Sequence, residues 1–278
     1  MTRRLAGIVV AAAALASCAH RIPPLDPSAP LRIDGQIVFD DNHALDLHFS
    51  RPCELDAAHP LILYATGDGG WRGKDRDAFE RMTGWGYPMV GFSAPSYLRH
   101  LVRHTHETTP PDVARDYSRI IRAAKARMGI EANVPTILVG VSRGSGLAVA
   151  AAGEPALQPS LAGVVAVALT REEEYVHRLK RKPKAPQDPP ELVILDNYEY
   201  LPRLRNLPLS IIQSTRDDYL PAEEARRLLG PDSALRQLKP IRAKNHSFTD
   251  AREPMYLALR ASLEWVAHFL PRTAAVEP

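Results

Sequence analysis

The chain has 278 residues, 45% of them hydrophobic and 24% charged, with a formal net charge of +3. That is the composition of an ordinary globular domain large enough for one sizeable core, and it excludes a disordered or membrane-spanning chain. Without Arg3 and Arg4 the charge falls from +3 to +1, which leaves no concentrated basic field for a nucleic-acid partner.

Arg3 and Arg4 precede the apolar run Ile8 to Ala16, which ends in Leu15-Ala16-Ser17-Cys18. A charged head, a short apolar stretch and small residues describe an export signal, too short to span a bilayer. The ending resembles a lipobox, so residues 1–18 are expected to be a lipoprotein signal with Cys18 acylated. Ala19 follows it in place of an aspartate retention signal, which favours the outer membrane of a bacterial envelope and a periplasm-facing domain. The other cysteine, Cys53, has no motif around it and reads as a packing or surface residue. Residues 19–30 hold Pro23, Pro24, Pro27 and Pro30, an extended tether. The folded domain is expected over residues 31–278.

Two alternating runs, Gln36–Phe39 and Ala44–Phe49, flank Asp40-Asp41-Asn42-His43 and predict an antiparallel hairpin. Strands and helices then alternate. Pro60–Ala65 is a buried-type strand followed by the loop Gly67-Asp68-Gly69-Gly70, and Tyr87–Ser93 is a second strand. Pro111–Met128 carries Val113, Tyr117, Ile120, Ile121, Ala124 and Met128 on one helical stripe, with Thr109 as its cap and Gly129 as its stop. Thr136–Val141 is a strand that runs into an alanine-rich helix of about ten residues. Leu161–Leu169 and Leu209–Gln213 are further strands. A helix from Pro221, a strand near Leu235–Ile241 and a helix over Glu253–Leu270 complete the series. Apolar strands joined by helices imply an α/β fold with a mainly parallel central sheet, an N-terminal antiparallel hairpin and helices on both faces. Residues 171–206, irregular and rich in proline, are expected to form an inserted lid.

Gly140-Val141-Ser142-Arg143-Gly144 closes one of these strands and opens a helix, the placement of a nucleophile elbow in an α/β-hydrolase fold. Ser142 is therefore the candidate nucleophile, and Ser145 a packing residue. A serine hydroxyl needs a base, and the base needs an orienting acid, in the chain order Ser, acid, His. Of the downstream histidines His177, His246 and His268, only His246 lies in a loop between the last strand and the last helix. The acid is expected at Asp217, straight after Leu209–Gln213. Asp218 and Asp196 are the alternatives, and the losing neighbour is expected to cap the following helix. Backbone N–H groups of Asp68 and Arg143 would form the oxyanion hole. His100, His104 and His106, even with Glu107, lack a complete ligand set, so neither metal nor cofactor is expected. Arg178, Lys180, Arg181, Lys182 and Lys184 form a basic stretch, read as a solvated face or as attraction to anionic headgroups.

The string Gly67-Asp68-Gly69-Gly70-Trp71 after a strand, with the serine elbow and a late histidine, resembles the VirJ/AcvB group of bacterial virulence proteins. The resemblance covers about residues 60–265. It implies an exported α/β hydrolase acting on lysyl-phosphatidylglycerol, with Gly67, Gly69 and Trp71 at the substrate. Arg143 after the nucleophile and the basic insertion depart from the group's pattern. The expected partners are a lipid or small ester substrate and the membrane. A general carboxylesterase, or a non-catalytic lipoprotein scaffold in an export machine, is the alternative.

Overall fold

The computed structural model describes residues 31–40, 42–52, 59–101, 108–176 and 193–270. The signal, Cys18, the tether, Cys53, His104, His106, Glu107, His177 and the basic stretch 178–184 lie outside them.

Among the described residues an eight-stranded sheet organises the domain, in the order β1 (Leu31–Val38), β2 (Ala44–Arg51), β4 (Met89–Phe92), β3 (Leu61–Ala65), β5 (Thr136–Val141), β6 (Leu161–Val167), β9 (Leu209–Ser214) and β10 (Arg236–Ile241). Strands β1 and β2 form the antiparallel hairpin, and β2 pairs antiparallel with β4. From there β3, β5, β6, β9 and β10 all run parallel. Helices α1 (Gly73–Gly84) and α7 (Arg252–Ala267) cover one face. Helices α2 (Ala94–Leu101), α3 (Pro110–Met128), α4 (Arg143–Ala152) and α6 (Ala222–Leu229) cover the other.

Period-2 alternation divides the apolar strands between two cores. On β3, Leu61, Leu63 and Ala65 face Tyr117, Ile120 and Leu147, whereas Ile62 and Tyr64 face Phe79, Met82 and Leu263. Each such leucine or isoleucine is fully buried, worth about 1.5–3 kcal/mol. Local signals set the ends of α3. The Thr109 backbone N–H donates to Asp112 at 3.0 Å, and Gly129 stops the helix at φ 66°. His100 belongs to this core: it is buried, with Nε2 3.2 Å from Asp116 Oδ2, and stacks on Phe39. Among the described residues no group of three His, Cys, Asp or Glu could hold a metal ion, and no helix is long and apolar enough to cross a membrane.

The segment 171–206 departs from an irregular lid at both of its described ends. Strand β7 (Glu172–Val176) pairs antiparallel with β8 (Val193–Asp196), and α5 (Asn197–Tyr200) and a 3-10 turn (Leu201–Leu204) follow. Tyr198, Tyr200, Leu201 and Leu204 are buried in the core beside α4, so this part is wall.

The order β4-β3-β5-β6 makes β3 and β5 the point where the chain's progress across the sheet reverses. Open α/β sheets bind ligands in the crevice outside the carboxyl ends of such strands. All four segments of the candidate site leave the sheet at those ends.

Candidate active site

Ser142 stands directly after β5, at φ 51° and ψ −119°, a conformation that costs a side-chain-bearing residue about 1–3 kcal/mol. Two glycines make the turn feasible. A Cβ at Gly140 would lie 2.1 Å from the Gly144 carbonyl oxygen, and one at Gly144 would lie 2.2 Å from that of Ala65. The Ser142 N–H donates to the Val167 carbonyl at 2.8 Å, and its own carbonyl receives the N–H of Ser145 at 2.8 Å. The Ser145 hydroxyl donates to the same carbonyl, so Ser145 braces the elbow as well as packing.

His246 lies in the β10–α7 loop, with Nε2 2.8 Å from Ser142 Oγ. Side chains close that loop: Asn245 Nδ2 donates to Thr249 Oγ1 at 2.8 Å, and the Lys244 N–H donates to Asp250 at 3.0 Å. The Lys244 N–H bond holds the Asp250 carboxyl below its ordinary range.

Nδ1 of His246 is 2.8 Å from Asp217 Oδ2 and 2.9 Å from Oδ1. The Asp217 side chain is fully buried. It also accepts the N–H groups of Tyr219 (2.9 Å) and Leu220 (3.3 Å) and Nε2 of Gln213 (3.1 Å). Four donors converge on one buried carboxylate, which satisfies its oxygens and fixes its plane. The neighbours of Asp217 take other places. Asp218 is exposed at the cleft. It does not cap α6 as expected, because that helix starts after Pro221 without a side-chain cap. Asp196 caps α5 by accepting the N–H groups of Tyr198 and Glu199, and it pairs with Arg171.

The Gly67–Gly70 loop follows β3 and touches the elbow, where a Cβ on Gly67 would lie 3.5 Å from that of Ser142. Gly70 at φ 66° closes the loop, with its N–H donating to the Gly67 carbonyl at 3.0 Å. Arg143 links loop and elbow through its side chain, which pairs with Asp68 and with the buried Glu173 of β7. The Asp68 carboxylate is thereby engaged by Arg143.

A cleft of about 870 Å³ opens over these groups. Ser142, His246, Gly69 and Tyr219 line it, with acidic Asp68, Glu172, Glu173 and Asp218 against basic Lys74, Arg143 and Arg171. The exposed Tyr219 ring meets the His246 imidazole edge to face at 4.8 Å. Trp71 does not line the cleft, contrary to the sequence expectation. Its ring stacks on His48 at 3.9 Å and packs against Phe79 at 4.9 Å. Gly67 acts beneath the serine, and Gly69 alone of the three expected substrate contacts faces the cleft.

Sequence reasoning missed Glu173, Gln213, Lys74 and Asp75. Gln213 left a signal, being a large polar residue near the end of a fully buried strand. Glu173 left none, since it lies in an acidic run. Lys74 reaches across the cleft rim, its Nζ donating to Ser247 Oγ at 3.2 Å.

Among solved structures the chain is similar to the esterase Pf2001 of Pyrococcus furiosus, 17% identical over 86% of this chain and 93% of that one, with a TM-score of 0.58. It is similar to Est1E from Butyrivibrio proteoclasticus, 12% identical over 86% and 100% of the two chains, TM-score 0.55. An alpha-beta serine hydrolase homologue from Coxiella burnetii is 14% identical over 82% and 96%, TM-score 0.55. At these identities the likeness is one of fold. No curated protein matches the chain. Residues 59–180, which contain the glycine loop and the elbow, match the model of the family described as bacterial virulence protein (VirJ). The chain thus has the α/β-hydrolase fold, and over that central segment it matches the VirJ family.

Proposed function

We propose that the protein is a serine ester hydrolase working through an acyl-enzyme, with Ser142 as nucleophile, His246 as general base and Asp217 as the orienting acid. One observation carries this reading: the continuous hydrogen-bonded chain from Ser142 Oγ to His246 Nε2, and from His246 Nδ1 to the buried Asp217 carboxylate. His246 removes the serine proton as Oγ attacks the ester carbonyl, and Asp217 stabilises the imidazolium that forms. The N–H groups of Asp68 and Arg143 take the tetrahedral oxygen, each such donor being worth about 10²–10³ in turnover. His246 then protonates the leaving alcohol, and water repeats the sequence on the acyl-enzyme.

The proposed substrate is an aminoacylated phospholipid such as lysyl-phosphatidylglycerol, carried over from the VirJ resemblance. The cleft suits it. Its acidic groups outnumber its basic ones by four to three, and Glu172 and Asp218 are exposed at its mouth. Acylation of Cys18 would hold the enzyme at an envelope membrane where such a lipid resides. The test is to incubate purified protein with lysyl-phosphatidylglycerol vesicles and analyse the products. Free lysine and phosphatidylglycerol are expected, because attack falls on the aminoacyl carbonyl. Cleavage of simple esters without lysine release would make the protein a general carboxylesterase and discard the lipid.

A further inference from the structure

We infer that Asp75 is a positioning residue that aims the Asp68 N–H at the oxyanion, through its hydrogen bond to the backbone of Gly67. The inference rests on the hydrolase reading above and adds a residue outside the Ser142, His246 and Asp217 set.

Asp75 lies in the first turn of α1 and is 2% exposed. A buried carboxylate is costly unless it is fully engaged, and desolvation pushes this one above its ordinary pKa. Its Oδ1 accepts two hydrogen bonds, from the Gly67 N–H at 3.1 Å and from the Tyr64 hydroxyl at 3.0 Å. Tyr64 is itself fully buried on β3, so the carboxylate is tied to the sheet on one side and to the loop on the other.

The peptide that matters is the one joining Gly67 to Asp68. In a trans peptide the C=O and the following N–H lie in one plane and point in opposite directions. The Gly67 carbonyl is fixed from two sides, accepting the Gly70 N–H at 3.0 Å and the Thr66 hydroxyl at 3.0 Å. Thr66 Oγ1 in turn accepts the Ala94 N–H at 3.1 Å. With Asp75 on the Gly67 N–H, both polar groups of Gly67 are held, and the direction of the Asp68 N–H follows. Glycine has the widest backbone freedom of any residue. Without the Asp75 anchor, the loop beside Ser142 could rotate its donor off the oxyanion position. Displacement of the donor affects the transition state and leaves ground-state binding nearly unchanged.

The test compares Asp75→Asn, Asp75→Leu and Tyr64→Phe with the native enzyme on a soluble p-nitrophenyl ester. Active-site titration counts the competent molecules, so every rate is per folded site. Asp75→Asn keeps an oxygen acceptor for Gly67 and should hold kcat within about fivefold, whereas Asp75→Leu fills the volume with no acceptor. Asp75→Leu should lower kcat on the order of 10²-fold, the effect of losing one oxyanion donor, with KM unchanged within about threefold. Tyr64→Phe leaves the Gly67 bond and should change kcat only a few-fold. Native kcat in Asp75→Leu, equal loss in Asp75→Asn and Asp75→Leu, or an effect confined to KM overturns the inference while the hydrolase reading stands. A native enzyme that turns over no ester overturns the hydrolase reading, and this inference with it.

Discussion

Replacing Asp217 with asparagine perturbs one atom of the site. In the native protein Oδ1 faces the N–H groups of Tyr219 and Leu220, and Oδ2 faces Nε2 of Gln213 and Nδ1 of His246 at 3.1 and 2.8 Å. The asparagine oxygen would stay with the two backbone donors, which puts its amide nitrogen where Oδ2 was. Gln213 cannot turn its own oxygen to meet that nitrogen, because its Nε2 is also committed to the Leu220 carbonyl at 2.6 Å. His246 must then accept at Nδ1 and carry its proton on Nε2, the atom that should take the proton from Ser142. The wrong tautomer costs about 10⁴ in turnover, equivalent to about 5.4 kcal/mol of transition-state stabilisation. Asp218→Asn alters an exposed group and should cost less than about tenfold. Steady-state kcat of both variants on a soluble ester decides the matter. Equal losses, or the larger loss at Asp218, would refute the assignment of the acid.

Ser142→Gly should abolish hydrolysis yet raise stability by about 1 kcal/mol, read as a Tm increase of about 2–4 °C, because glycine adopts φ 51° and ψ −119° without strain. Trp71→Ala should lower stability by about 2 kcal/mol through its lost packing on His48 and Phe79, with KM for a soluble ester unchanged; a raised KM would return Trp71 to the substrate. Burial raises the folded-state pKa of Asp75 above the ordinary 3.8. The stability this group contributes is thus fully present below 3.8 and lost as pH rises through the raised value. Denaturant titrations across that window should favour the native protein over Asp75→Asn increasingly as pH falls, and a flat difference would contradict the buried carboxylate. Charge reversal at Arg178, Lys180 and Arg181 should slow action on anionic vesicles at low salt and leave soluble esters unaffected.

Strands β3, β5 and β6 were legible because they are buried on both faces, so their runs are apolar almost throughout. Helix α3 was legible for the opposite reason, since one buried stripe and a polar remainder imprint a 3.6-residue period. Helix α1 went unread because half of Gly-Lys-Asp-Arg-Asp-Ala-Phe-Glu-Arg-Met-Thr-Gly is charged and few of its side chains are buried. Strand β7 begins Glu-Glu-Glu and exists through its pairing with β8, which local propensity does not express. The elbow and the histidine loop were legible from their places in the strand–helix order. Trp71 departs from its expected place because adjacency in a motif is not adjacency in space. The turn at Gly70 sends the next side chain toward His48 on β2, away from the cleft. Asp75 and Glu173 act by reaching back to distant backbone and side chains, and no spacing rule points to such contacts.

Covalent labelling of Ser142 tests the central claim most directly. A phosphonate probe that mimics the tetrahedral intermediate reacts only with a deprotonatable hydroxyl beside an oxyanion hole, so it examines the elbow, the base and the glycine loop together. Intact mass and peptide mapping should give one adduct per chain, on Ser142, absent in Ser142→Ala and nearly absent in His246→Ala. A folded protein that resists the probe, or one labelled at another residue, would contradict the account.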